Sequence, residues 1–352
     1  MSVHKLILTS DYEIYGNGSG DVNNCLIKPT EELLSICDTR NIRMCFFVDV
    51  CEIWAFELLE KQNPNFNHAS SIKNQLIKII QSGHDIQLHL HPQWIGAKYV
   101  EQKWILKYQY WRLSETSALD FGEFGKGIFG LLNKGKTWLE NLIIPIDSKY
   151  QCKSFRAGAW CIQPEEDIIE SLKRLEFKKE SSVAKGLKFE GSLTFYDFSS
   201  LKDYPNQWPL GLNLMAIDSQ SGLLEIPIAS AKAGLLDQLK FAYLKRKRKH
   251  PVYPNKSGVR FYQKESSSLL EKVKRHLFPG YRMLDFASGS TFEELKFITE
   301  YHIKKQSENS NIIAISHPKN FGVKIEFENY LNWCDKNDNI TFEYKNEPYF
   351  WR

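Results

Sequence analysis

Asp11-Tyr12-Glu13 and His89-Leu90-His91-Pro92 each set two metal-capable side chains at i and i+2. On an extended strand that spacing points both side chains to one face. Leu6-Ile7-Leu8-Thr9 runs straight into the carboxylates, and Ile86, Leu88 and Leu90 alternate with Gln87, His89 and His91. The apolar set therefore covers one face and the imidazoles the other. A divalent ion needs oxygen or neutral imidazole donors converging on one point. Zn²⁺ in hydrolytic enzymes commonly takes three and leaves a position for water. Either segment alone has an ordinary explanation, a solvated acidic pair or histidines satisfied by hydrogen bonds. Together, each at the end of an apolar strand, they point to metal-assisted hydrolysis.

The elements that must position these residues alternate between strand and helix. After the first strand and a polar loop from Gly16 to Asn24, an amphipathic helix is expected around Pro29–Arg40. Arg43–Val50 reads as a buried strand, and a helix over Ser70–Gln81 stops at Ser82-Gly83. The Asp85–His91 strand follows. Further on come a helix near Lys136–Asn141, a strand ending Ser154-Phe155-Arg156, a helix over Glu165–Leu175, and strands at Leu223–Ile228 and Ile312–Ser316. Such alternation implies parallel pairing with right-handed crossovers. No Gly-x-Gly-x-x-Gly follows the first strand. Chemistry-bearing residues instead end several different strands, with Arg156 and His317 joining the first four, which is the distribution of a β/α barrel.

Composition narrows the class. The chain has 352 residues, is 42% hydrophobic and 25% charged, and reads as one domain over 1–352 with an insertion around 235–285. A net charge of +4 is too small to argue for nucleic acid. No 18-residue apolar run offers a membrane span, and no signal peptide is apparent. Seven cysteines without a C-x-x-C pair suggest free thiols and a cytoplasmic setting. Lys245-Arg246-Lys247-Arg248-Lys249 reads first as a solvated helix end, with peripheral contact to anionic lipid or a carrier diphosphate as its alternative. Nine tryptophans suggest sugar-facing platforms, with Trp94 and Trp160, each just after a motif, as the candidates and core packing as their alternative.

Six segments in order resemble the polysaccharide deacetylase superfamily, the NodB-homology fold of carbohydrate esterase family 4, and most nearly its WbmS-like branch. They are Asp11-Tyr12-Glu13, Phe46-Phe47-Val48, Gly83-His84-Asp85-Ile86-Gln87-Leu88-His89-Leu90-His91-Pro92, Phe155-Arg156-Ala157-Gly158-Ala159-Trp160, Leu223-Leu224-Glu225-Ile226-Pro227 and Ile315-Ser316-His317-Pro318. The likeness spans Lys5 to Phe321. It implies a distorted (β/α)7 barrel that deacetylates N-acetylated sugars with a metal-activated water. It matches Asp11 to the catalytic base, Glu13 and His89 to metal ligands, Arg156 to the arginine that orients the base, and His317 to the general acid. The family's second histidine usually falls four residues after the first. Gln93 stands there, so His91 is expected to substitute. The arginine segment also departs from the family's Arg-x-Pro-Tyr, which implies a reshaped substrate rim.

The chemistry agrees with the resemblance. Amide hydrolysis needs an activated water, a polarised carbonyl and a proton for the leaving amine. The expected ligands are Glu13, His89 and His91, holding a divalent ion, Zn²⁺ first with Ni²⁺, Co²⁺ and Mn²⁺ also admissible. The expected substrate is an acetylated amino sugar of surface-polysaccharide assembly, free or linked to nucleotide or lipid. Two competitors remain. One is a barrel of the amidohydrolase or phosphoesterase kind, where His-x-His usually opens the first strand instead of following carboxylates. The other is a catalytically silent carbohydrate-binding barrel.

Overall fold

The computed structural model describes residues 2–248, 258 and 280–352. Seven parallel strands form its centre: β1 (His4–Tyr12), β2 (Met44–Asp49), β3 (Asp85–Leu90), β4 (Ser154–Ala157), β5 (Lys179–Glu180), β6 (Leu224–Glu225) and β7 (Ser310–Ala314). They pair in the order β6-β5-β4-β3-β2-β1-β7. Ala184 with Ile228 extends the pairing of β5 and β6, and among the described residues a single parallel bridge, Ile228 with Ile313, joins the β6 side of the sheet to β7. That is a curled sheet with a thin seam, a distorted β/α barrel as expected. The 223–228 segment is narrower than the strand expected there, because Pro227 lacks the N–H a ladder needs.

Helices α1 (Lys28–Asp38), α2 (Val50–Gln62), α3 (His68–Gln81), α4 (Gly127–Ile143) and α5 (Glu166–Arg174) lie between the first five strands. Gly83, with φ of +81°, takes the left-handed turn that ends α3. Helix α4 begins nine residues before its expected start, at a glycine-containing stretch that sequence propensity disfavours. Helices α6 (Leu235–Lys247), α7 (Phe292–Lys305) and α8 (Lys324–Asp335) complete the outer layer. Of the expected insertion at 235–285, α6 and the strand Gly280–Met283 are seen, the latter pairing with Ser230–Ala233. Residues 249–257 and 259–279, including Lys249 of the basic run, lie outside the described residues.

Strand parity sorts the side chains. Leu6, Leu8, Phe46, Val48, Ile86, Leu88 and Leu90 belong to the large core beneath the helices. Ile7, Cys45, Phe47, Ile226 and Ile313 form a separate inner cluster closed by Trp351. Thr9, Asp11 and Glu13 continue the parity of Ile7, and Gln87, His89 and His91 oppose that of Leu88. The inner face thus turns polar towards the C-terminal strand ends. Burying each of those outward aliphatics contributes about 1.5–3 kcal/mol, so a one-residue slip that exchanged the faces would be heavily disfavoured. All seven cysteines are buried free thiols. No helix among the described residues is long and apolar enough to cross a membrane.

Candidate metal centre and catalytic site

Glu13, His89 and His91 converge at the C-terminal rim, with one potential ligand atom from each lying within 4.8 Å of the others. The donors come from strands that are not neighbours: β2 runs between β1 and β3. All three side chains are buried, at 5%, 1% and 3% exposure. The register sets Asp49, His89 and Arg156 in one row across β2, β3 and β4.

His89 Nδ1 lies 2.8 Å from the Arg156 carbonyl oxygen. A carbonyl only accepts, so Nδ1 carries the proton and Nε2 keeps its lone pair. That Nε2 is buried and has no hydrogen-bond partner. Burial, with His91 and its charge nearby, pushes the His89 imidazole down to about 3, so it is neutral and ready to ligate. An orphaned imidazole nitrogen beside a carboxylate and a second histidine fits a divalent cation.

Glu13 and His91 form a contact of 2.7 Å between Oε2 and Nε2. Burial alone would raise Glu13, but His91 and Lys319 reverse this and hold its carboxyl well below the usual range. For His91 burial works downward, and the Glu13 carboxylate overcomes it and raises the imidazole. Without an ion, then, the Glu13 carboxylate favours the protonated form of His91, whose proton a metal would displace. Gln93, the residue at the usual position of the family's second histidine, places its amide 3.1 Å from His91 Nδ1. An amide turned end for end would accept an Nδ1 proton and leave Nε2 to the ion.

Asp11 stands beside this cluster, held by Arg156 through a 2.6 Å Nη1–Oδ1 bond. Arg156 is fully buried, donates from Nε to Ser181 O, reaches Thr9 Oγ1, and stacks over Phe47 at 4.1 Å. With so many fixed contacts the guanidinium has one pose, and it aims Asp11. His317 Nε2 lies 3.6 Å from Asp11 Oδ2 and 3.7 Å from Glu13 Oε1. Burial pushes His317 down to about 4, against the upward pull of Asp11. It is therefore neutral at pH 7.

Three residues beyond the expected ligands and catalytic groups belong to the site. Lys319 Nζ donates to Glu13 Oε1 at 2.7 Å and to Ile14 O at 2.9 Å, which fixes the carboxylate. Its position two residues after His317 was the only available signal. Asp49, which ends the buried Phe46-Phe47-Val48 run, caps α2 by accepting from Cys51 N, and also accepts from His91 N at 3.0 Å. Burial pushes its carboxyl up to about 7; His91 opposes that rise and Glu13 adds to it. Gly158 is required sterically, since a Cβ there would come within 2.5 Å of Leu90 O and 2.8 Å of His91 Nδ1.

The two tryptophans separate. Trp94 is only 2% exposed and packs edge-on against Phe56 and Trp104, so it has no face to offer a sugar, and its expected platform role is corrected. Trp160 remains part-exposed, its ring 5.9 Å from that of His317. Ala159 and Trp160 both adopt left-handed φ, +52° and +57°, a costly backbone for residues with a Cβ. Trp104, which Trp94 supports, lines a cavity of about 530 Å³ with Phe66, Tyr99, Asn17 and Ile14, the last adjoining Glu13.

The solved structures to which the chain is similar include polysaccharide deacetylases. A structure assigned to that group from Mycobacterium smegmatis shares 12% identity over 95% of this chain and 85% of its own, with a TM-score of 0.43. Another from Pseudomonas aeruginosa PAO1 shares 9% identity over 96% and 87%, with a TM-score of 0.43. PuuE allantoinase shares 7% identity over 96% and 86%, with a TM-score of 0.42. No family model and no curated protein matches the chain. At such low identity and TM-score the functional reading rests on the side chains of the site.

Proposed function

We propose that the protein is a metal-dependent hydrolase that removes the acetyl group from an N-acetylated amino sugar. The observation that carries this is the orphaned, lone-pair-bearing Nε2 of His89, beside Glu13 and His91 and next to an Arg156-held Asp11. A divalent ion in the Glu13, His89 and His91 cradle supplies Lewis acidity, which lowers the pKa of water and polarises an amide carbonyl.

The chain's own groups do the rest. Asp11 accepts the proton of the attacking water while Arg156 fixes its direction. Because His317 is neutral at pH 7, it enters as an acceptor. Because 3.6 Å between Asp11 Oδ2 and His317 Nε2 is longer than a hydrogen bond, the proton reaches His317 through a bridging water, and His317 then delivers it to the departing amine. Trp160 covers the imidazole on one side and excludes water there. The cavity walled by Trp104 and Tyr99 gives aromatic faces for a sugar ring, with Gln102 in its polar lining. The motif set supports placement in the WbmS-like branch, and with it surface-polysaccharide synthesis on a nucleotide- or lipid-linked sugar. Seven buried free thiols support a reducing, cytoplasmic setting.

Acetate release from N-acetylated amino sugars by metal-loaded protein tests the reading. Asp11→Asn should keep its metal and lose about 10²–10⁴-fold in rate. Turnover near the wild-type rate in Asp11→Asn would remove Asp11 from the reaction. Loss of neither acetate release nor rate on metal removal would remove the ion from it.

A further inference from the structure

Away from the metal centre, at the barrel seam, a cavity of about 170 Å³ is lined by Lys185, Lys202, Lys305, His302, Tyr281 and Tyr301. It adjoins the bridge that closes the sheet, since Ile228 and the residue after it, Ala229, both line it. Among the described residues, none of the three lysines forms an ion pair. Lys185 is half-buried, and its Nζ donates only to neutral carbonyls, Tyr204 O at 2.9 Å and Pro205 O at 3.1 Å. An ammonium withdrawn from water without a counter-ion is costly, and the cost falls when an anion enters. Burial accordingly pushes Lys185 down to about 8, with Asp203 opposing, and His302 down to about 3, with Lys185 adding to the fall.

We infer that this cavity is a binding site for a phosphoryl or diphosphoryl group. The lining offers the complement of such a group: ammonium donors on one cavity, a neutral imidazole whose Nε2 already engages Ser310 Oγ at 3.1 Å, and the phenols of Tyr281 and Tyr301. Asp203 is the one carboxylate in the lining, so positive charge prevails. A lysine cluster serves phosphate as point charges and needs no planar fork, unlike the recognition of a carboxylate by arginine. The volume admits one or two phosphoryl groups, and the rings of Tyr281 and Tyr301 share the lining with the lysines. The site is independent of the deacetylase reading, because none of its residues belongs to the metal centre.

Calorimetric titration of the full chain with inorganic pyrophosphate, against sodium chloride at matched ionic strength, tests it. Saturable binding to one site is expected. Lys202→Gln and Lys305→Gln, both exposed and safe for folding, should each weaken it at least several-fold, and the double variant should abolish it. Lys185→Met should do the same, whereas Lys61→Gln, an exposed lysine outside the cavity, should not. A nucleoside diphosphate binding more tightly than pyrophosphate would assign the rings to the attached group, and equal binding would assign recognition to the phosphoryl groups alone. No saturable binding beyond the chloride control, or unchanged binding in the Lys202/Lys305 double variant, would overturn the inference.

Discussion

Each side chain of the metal cradle is set by a neighbour that leaves it one useful state. The Arg156 carbonyl fixes the His89 tautomer, Gln93 and Gly158 bracket the His91 ring, and Lys319 holds one oxygen of Glu13. Such outer contacts commonly change metal affinity by 10–100-fold when removed. The Glu13–His91 pair makes a quantitative prediction. Because His91 is raised above its ordinary value, metal uptake must release its proton, so affinity should rise with pH through and somewhat beyond 6.5. Calorimetry in buffers of different ionisation enthalpy should find proton release on metal uptake at pH 6.5, falling away as the pH is raised. Uptake without proton release would show that His91 is not displaced by the ion.

At the scale of elements, short apolar runs mark β1, β2, β4 and β7, and the alternation of Ile86, Leu88 and Leu90 with polar residues marks β3, because strands covered by helices must carry apolar residues throughout or on the covered face. The i, i+2 spacing likewise marks Glu13, His89 and His91 as sharing a face, and the structure brings them together. What sequence could not supply is pairing across the chain: Lys319 meets Glu13 over 306 positions, and no local periodicity encodes that contact. Nor could it separate Trp94 from Trp104, since the burial of an aromatic depends on which ring lies above it. Two short strands carry a buried conflict. Glu180 of β5 and Glu225 of β6 stand in register and are fully buried, and neither oxygen of Glu225 has a hydrogen-bond partner. Burial, with Glu180 beside it, holds Glu225 well above the usual carboxylate range. A raised folded pKa means stability that is full below the unfolded value and is lost as pH rises through the folded one, at up to about 1.4 kcal/mol per pH unit. Glu225→Gln, always neutral, should therefore flatten the fall in urea stability between pH 6 and 9. An identical slope in both proteins would mean that the pair is already relieved by another group.

At the scale of the whole molecule, the barrel is polar at one end and sealed at the other. Trp351, fully buried, meets Phe47 edge-on at 5.2 Å, and its carbonyl accepts from the Ser154 hydroxyl. Trp351→Ala should cost about 3–5 kcal/mol in urea unfolding, and a loss under about 1 kcal/mol would show that the inner cluster does not depend on this plug. The plug matters for function because Phe47 also carries the Arg156 guanidinium that aims Asp11. The account as a whole stands on the cation cradle at the open end. Its most direct test is elemental analysis of the purified wild type after loading with Zn²⁺ and removal of excess, beside His89→Ala and His91→Ala. One equivalent in the wild type and near-complete loss in both variants is the predicted result. Full occupancy in either variant, or no retained ion in the wild type, would contradict it.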